Sequence, residues 1–171
     1  LRAIQLLPIN EMAHGQSSPY SALSAMAIDP IFISIGDIPS FEARGGESSL
    51  DAGQQSRLDE VRRATVVHHH DVRELKTDVL RSLFEVFLAE SWTPDTADAA
   101  AMRAYADAEN WWLEDYALFR AIHAGNDARH WTEWDPPLRD RDPAALTETR
   151  RTLDHEILYY TWLQWIAGTQ W

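Results

Sequence analysis

Residues 142–167 read DPAALTETRRTLDHEILYYTWLQWIA, and they decide the fold class. Asp142 and Pro143 make a helix start, a capping side chain followed by a first-turn proline. Leu146, Leu153, Ile157 and Tyr160 then recur on one helical face. The pattern predicts a helix running to Ala167, next to Gly168. At 1.5 Å per residue it would be roughly 37 Å long, too long to bury its stripe alone in a small domain. It needs partner elements.

Those partners are visible upstream. Val72, Leu75, Val79, Leu83, Val86 and Phe87 recur at three- and four-residue steps, which predicts a helix with one buried face, and Pro94 prevents its simple continuation. A further helical pattern starts at Thr96, read as an N-cap, and runs through Met102, Tyr105, Trp112, Tyr116 and Phe119. Gly125 is read as its left-handed C-cap, with Trp111 and Trp112 near a bend. Residues 41–53 are polar and rich in Gly and Ser, the expected site of a flexible surface loop. Nearer the start, residues 3–7 form a short apolar run closed by Pro8, which reads as a strand. The run 31–35, after Asp29-Pro30, reads as a strand or an extended segment. Between them residues 10–21 form a loop in which Tyr20 follows a proline.

Composition bounds the function classes. The chain has 171 residues, 45% hydrophobic and 25% charged with 8 Trp, so it is a folding sequence. A formal net charge of -12 leaves no basic stripe for phosphates and argues against nucleic acid and anionic membrane surfaces, whereas a neutral polyol is indifferent to it. The absence of Cys removes disulfides, thiolate chemistry and Cys-ligated zinc, and suits a reducing compartment. No apolar run reaches the ~20 residues of a membrane span, and no signal-peptide pattern is present. A cytoplasmic location is the expectation. The sequence opens at Leu1 and closes at Trp171 without polar tails, so both ends read as cut.

Several motifs stand together in order. Gln5-Leu6-Leu7-Pro8, Ser18-Pro19-Tyr20-Ser21, Ser24-Ala25-Met26-Ala27 and Asp29-Pro30-Ile31-Phe32-Ile33 come early. Trp112-Leu113-Glu114-Asp115-Tyr116-Ala117-Leu118-Phe119, Trp131-Thr132-Glu133-Trp134, Leu138-Arg139-Arg141, Trp162-Leu163-Gln164-Trp165 and Gln170-Trp171 follow. In this order and spacing the chain resembles the amylomaltase-type 4-α-glucanotransferases, over most of its length except residues 41–65. It departs from the family's pattern at Gln16-Ser17, where many members have Gly-Asp, and at Asp29, where Asn is commoner.

The resemblance implies an α/β fold, a fragment of a (β/α)8 TIM barrel with a mainly helical insertion, the fragment itself largely α-helical. On that reading residues 1–40 hold an early barrel strand and the substrate loop. Residues 41–65 hold a flexible loop and short helix, and 66–171 the helical insertion and the long helix leading back to the barrel. The implied reaction is transfer of 1,4-α-glucan segments with retention, which needs two carboxyl groups. The family's carboxylates lie downstream of its Gln-Trp segment, so no catalytic residue is expected in this chain. The implied partners are a maltooligosaccharide or α-glucan and the rest of its own barrel. No cofactor and no metal are implied.

Within the chain, Tyr20 is the expected substrate contact, an aromatic ring on a stiff loop, with Ser18 and Pro19 shaping that loop. Its structural alternative is a ring packed beneath the loop. Arg151-Thr152-Leu153-Asp154-His155 superficially matches the family's nucleophile motif, but it lies in a helical pattern and reads as a helix surface. His68-His69-His70 point in divergent directions, and Asp127 with His123 and His130 reads as helix-end capping rather than a metal site. Trp162 and Trp165 read as core, and Trp131 and Trp134 as a staple. A non-catalytic helical carbohydrate-binding or interaction module is the alternative; it would cover the apolar faces at both ends, whereas a fragment would expose them.

Overall fold

The computed structural model describes residues 5–13, 16, 18 and 20–171. Eight α-helices dominate them: α1 (Pro39–Ala43), α2 (Ala52–Arg63), α3 (His69–Phe87), α4 (Ala97–Ala108), α5 (Asn110–Gly125), α6 (Pro136–Arg139), α7 (Pro143–Thr152) and α8 (Asp154–Gln170). No regular strand occurs among the described residues. Two isolated antiparallel bridges, Asn10 with Ile28 and Met12 with Ala22, pair the segment 10–12 with 22–28 as the two arms of a loop. Part of the strand read at residues 3–7 lies outside the described residues, and the remainder is irregular. The apolar run 31–35 is not a strand. It contributes to two 3-10 turns, Pro30–Phe32 and Ile35–Asp37, because Asp29 accepts from the Ile31 amide and Pro30 fixes the first turn.

The single long helix expected over 142–167 is two helices. Asp142 caps α7 by accepting from the Ala145 amide, as the sequence predicts. The chain then breaks at Leu153, whose φ of -110° and ψ of 21° leave the helical basin. Side chains compete with the backbone at this point. The Thr152 hydroxyl donates to the Glu148 and Thr149 carbonyls, while Asp154 accepts from the His155 amide. The break lets α7 and α8 both reach α5, with Leu146 of α7 and Leu118 and Ile122 of α5 joining Trp134 in one cluster. The helical pattern from Thr96 is likewise divided, at Glu109, and Trp112 bonds back to the Glu109 carboxylate.

Helix α3 buries Leu75, Val79, Leu80, Leu83, Phe84 and Phe87, so Leu80 and Phe84 join the predicted stripe while Val72 and Val86 are only half-buried, and it ends in a π-turn at Leu88–Trp92 before Pro94. Thr96 holds the N-cap conformation of α4, but its hydroxyl is buried without a partner. Gly125 is not the left-handed residue after α5; Asp127 and Ala128 adopt that conformation instead. Residues 41–53, expected as a flexible loop, form short helical turns that bury Phe41, and Asp51 with Gln54 makes a reciprocal capping box for α2. The main core joins α3 to α8 through Phe84 and Phe87 on one side and Tyr159 and Trp162 on the other, the rings meeting across the interface at tilted or edge angles. Gly168 brings α8 against α4: a Cβ there would lie 3.1 Å from the Tyr105 ring.

Candidate functional site

The loop carrying Tyr20 is built from local turns. The Tyr20 amide donates to the Ser18 hydroxyl at 3.4 Å, and the Ser21 amide donates to the Ser18 carbonyl at 3.0 Å. The Tyr20 ring is 75% exposed, so it is not packed beneath the loop. Pro19 lies outside the described residues. Between Met12 and Met26 no described residue is buried. The loop therefore takes its orientation from its base, where Glu11, Ala27 and Asp29 are the buried residues.

Polar groups hold that base, and most of their partners are helical. Asp29, 1% exposed, makes a two-pronged ion pair with Arg73 of α3, both contacts at 2.7 Å, and accepts from the Met12 and Ile31 amides. Glu11, 3% exposed, accepts the Tyr116 hydroxyl at 2.5 Å, with the Arg120 Nε 3.1 Å from the same oxygen. Burial raises the Glu11 carboxyl above its usual range, although Arg120 and Tyr116 oppose the shift. Burial also raises the Tyr116 hydroxyl, and the Glu11 charge adds to it. A hydroxyl that keeps its proton is the donor this contact requires.

Two glutamines of α8 complete the attachment. Gln164 accepts from the Ile28 amide and donates to the Ile28 carbonyl, both at 2.9 Å. Gln170 does the same for Ser34 at 2.8 Å. Each side-chain amide thus substitutes for a neighbouring strand, satisfying both backbone groups of one residue in an extended segment. Lys76 of α3 donates to the Ile31 and Ile33 carbonyls at 2.6 and 2.7 Å, and burial lowers its ammonium pKa. A cavity of about 90 Å³ lies between these groups, lined by Glu11, Arg73, Lys76, Arg120 and Tyr160 among others.

The other sequence candidates are dispersed. Asp154 and His155 lie at the start of α8, where His155 meets Glu85 at 3.0 Å on the surface. His69 and His70 open α3, with His70 3.4 Å from Glu74. His123 is stacked on Phe119 and bonded to Arg120, and its pKa is lowered by burial and by that cation; His130 bonds Thr132. Among the described residues no three His, Cys, Asp or Glu are grouped to hold a metal ion. Trp162 is core, and Trp134 is buried with its indole N–H on the Arg129 carbonyl, whereas Trp131 is half exposed. Sequence reasoning missed Glu11, Arg120 and Arg73; only the unusual Asp29 pointed toward them.

Known proteins resemble this chain along its whole length. The family described as 4-alpha-glucanotransferase matches residues 1–171. The 4-alpha-glucanotransferase of Thermus thermophilus is 33% identical over 168 residues, covering 98% of this chain and 30% of the relative. Those of Chlamydia trachomatis and Synechocystis sp. are each 31% identical, covering 98% of this chain and 30% and 31% of the relatives. An amylomaltase from Streptococcus agalactiae, solved in complex with acarbose, shares the fold with a TM-score of 0.73 at 24% identity, over 96% of this chain and 31% of that one. The chain thus spans about 30% of the length of these relatives. With its full length matched in this way, the chain belongs to the 4-alpha-glucanotransferase family.

Proposed function

We propose that this chain is part of a 4-α-glucanotransferase that moves 1,4-α-glucan segments between maltooligosaccharides with retention, and that its role is to present Tyr20 to a glucose ring. The observation that carries the reading is the exposed Tyr20 ring on a loop whose base is tied to α3, α5 and α8. An aromatic face covers the apolar C–H face of a pyranose, and the fixed base lowers the entropy cost of holding it there.

The chemistry itself is assigned to carboxylates outside these residues. Retention needs a nucleophile and an acid/base about 5 Å apart, both open to substrate. Glu11 and Asp29 are the buried acids here, and each is neutralised by an arginine and sealed from solvent. They are structural groups. The barrel assignment is supported by the apolar surface left for further elements to cover: Leu6, Leu7, Phe32 and Trp171 are all more than half exposed. A self-contained binding module would bury them.

Tyr20→Ala in the complete gene product tests this reading. Loss of one ring–sugar contact of ~1.4 kcal/mol lowers kcat/KM for maltotriose about tenfold. Tyr20→Phe, which keeps the ring, should stay within about threefold of the wild type. Equal kcat/KM for Tyr20→Ala and wild type would remove Tyr20 from the substrate site.

A further inference from the structure

We propose that Glu11 is the positioning residue for the Tyr20 loop, fixing it to α5 through Tyr116 and Arg120 and thereby setting glucan affinity. The proposal rests on Tyr20 being a glucan contact. Glu11 sits where the two arms of the loop close. Its amide donates to the Ala27 carbonyl at 3.0 Å and its carbonyl accepts from the Leu23 amide at 2.7 Å, so its backbone belongs to both arms. Its side chain leaves the loop and enters the helical layer, reaching a tyrosine and an arginine more than 100 residues later in the chain.

A carboxylate at this depth is a poor way to gain stability. Desolvation of a buried ion pair generally cancels its Coulomb attraction, and an apolar pair of similar volume does as well or better. What Glu11 supplies is direction: the Tyr116 hydroxyl donates to one carboxylate oxygen in a single arrangement, with the Arg120 charge 3.1 Å away and its Nε making no hydrogen bond, where an apolar contact would slide. Direction matters here because no described residue from Met12 to Met26 is buried, so none of these described residues is held by a buried side-chain contact of its own. Asp29 and Gln164 anchor the outgoing arm to α3 and α8, through Arg73 and the Ile28 backbone. Among the described residues of the incoming arm Glu11 is the buried one, and although Asp29 also holds that arm through the Met12 amide and the Ile9 carbonyl, Glu11 supplies its direct tie to α5.

The test compares Glu11→Gln, Tyr116→Phe and Tyr20→Ala, singly and combined, in the complete gene product. Hydrogen–deuterium exchange reads the attachment without reference to sugar. In Glu11→Gln, residues 10–29 should exchange about tenfold faster while residues 97–108 of α4 change by less than twofold. Tyr116→Phe removes only the hydroxyl and should act in the same direction more weakly. Kinetics on maltotriose read the consequence: KM rises about fivefold in Glu11→Gln with kcat within twofold, and adding Glu11→Gln to Tyr20→Ala raises KM by less than twofold more. A purely structural role would lower kcat through a smaller folded fraction, and its effect would multiply with that of Tyr20→Ala. Unchanged exchange at 10–29, or multiplicative KM effects, overturns the proposal. A wild-type protein with no transfer on maltotriose refutes the glucan reading and this inference with it. The exchange data would still show whether Glu11 ties down the loop.

Discussion

A side-chain amide that serves as the neighbour of an extended backbone leaves two orphans when it is removed. Gln164→Leu strips both partners from the Ile28 amide and carbonyl, and should cost about 2–4 kcal/mol in urea unfolding. Gln170→Leu, acting on the exposed Ser34, should cost less. The acids carry a pH signature with two opposite signs. Burial raises the Glu11 carboxyl, so the folded chain keeps its proton where the unfolded chain has lost it. The stability this provides is full below the ordinary value of 4.5 and is lost as pH rises through the folded pKa. Burial would also raise Glu156, but its two contacts with Arg81 hold it below 4.5. Its contribution is present above that value and is lost as pH falls through the folded pKa. Urea titrations between pH 3 and 7 of wild type, Glu11→Gln and Glu156→Gln should show difference curves of opposite slope; slopes of one sign would contradict the assignment. At this scale the sequence singled out Tyr20, which is exposed, as the proposed sugar contact, and placed Asp154 and His155 on a helix surface, where they lie. It did not disclose Glu11 with Arg120, because a pair separated by more than 100 residues leaves no periodic trace.

Helices were the most readable elements, since a stripe at three- and four-residue steps is local information. The stripe over 72–87 lies on α3, where Leu75, Val79, Leu83 and Phe87 are buried as expected and Leu80 and Phe84 replace Val72 and Val86 in the core face. Breaks were less readable. Leu153 continues the apolar stripe across the gap, and the competing bonds of Thr152 and Asp154 that end the helix resemble any polar helix surface in sequence. Gly125 looked like a stop, yet the left-handed turn is taken by Asp127 and Ala128. Gly168 has a different use, admitting the Tyr105 ring where α4 crosses α8. Gly168→Val should therefore push the two helices apart and cost roughly 1–3 kcal/mol, whereas Gly125→Ala, which meets nothing within 4 Å, should be neutral or slightly stabilising. Thermal unfolding of the two variants separates the roles. A tolerated Gly168→Val would mean that α4 and α8 are not tightly apposed.

Across the whole molecule, two layers are joined at one seam. Helices α3, α5 and α8 form a core rich in aromatic rings, and the segments 8–12 and 27–37 lie on it, held by Arg73, Arg120, Lys76, Gln164 and Gln170. On the function proposed above, this seam is what lets the helices aim the Tyr20 loop. Leu6, Leu7, Phe32 and Trp171 are more than half exposed, the apolar surface on which the proposed barrel reading rests. No helix among the described residues is long and apolar enough to cross a membrane. The most direct test of the account is product analysis of the complete gene product incubated with maltotriose alone, following chain lengths and total reducing ends together. Glucan transfer predicts glucose and longer maltooligosaccharides at a constant number of reducing ends, since each bond broken is matched by one formed. A steady rise in reducing ends without longer products would show hydrolysis, and unchanged maltotriose would show neither activity; either result would contradict the account.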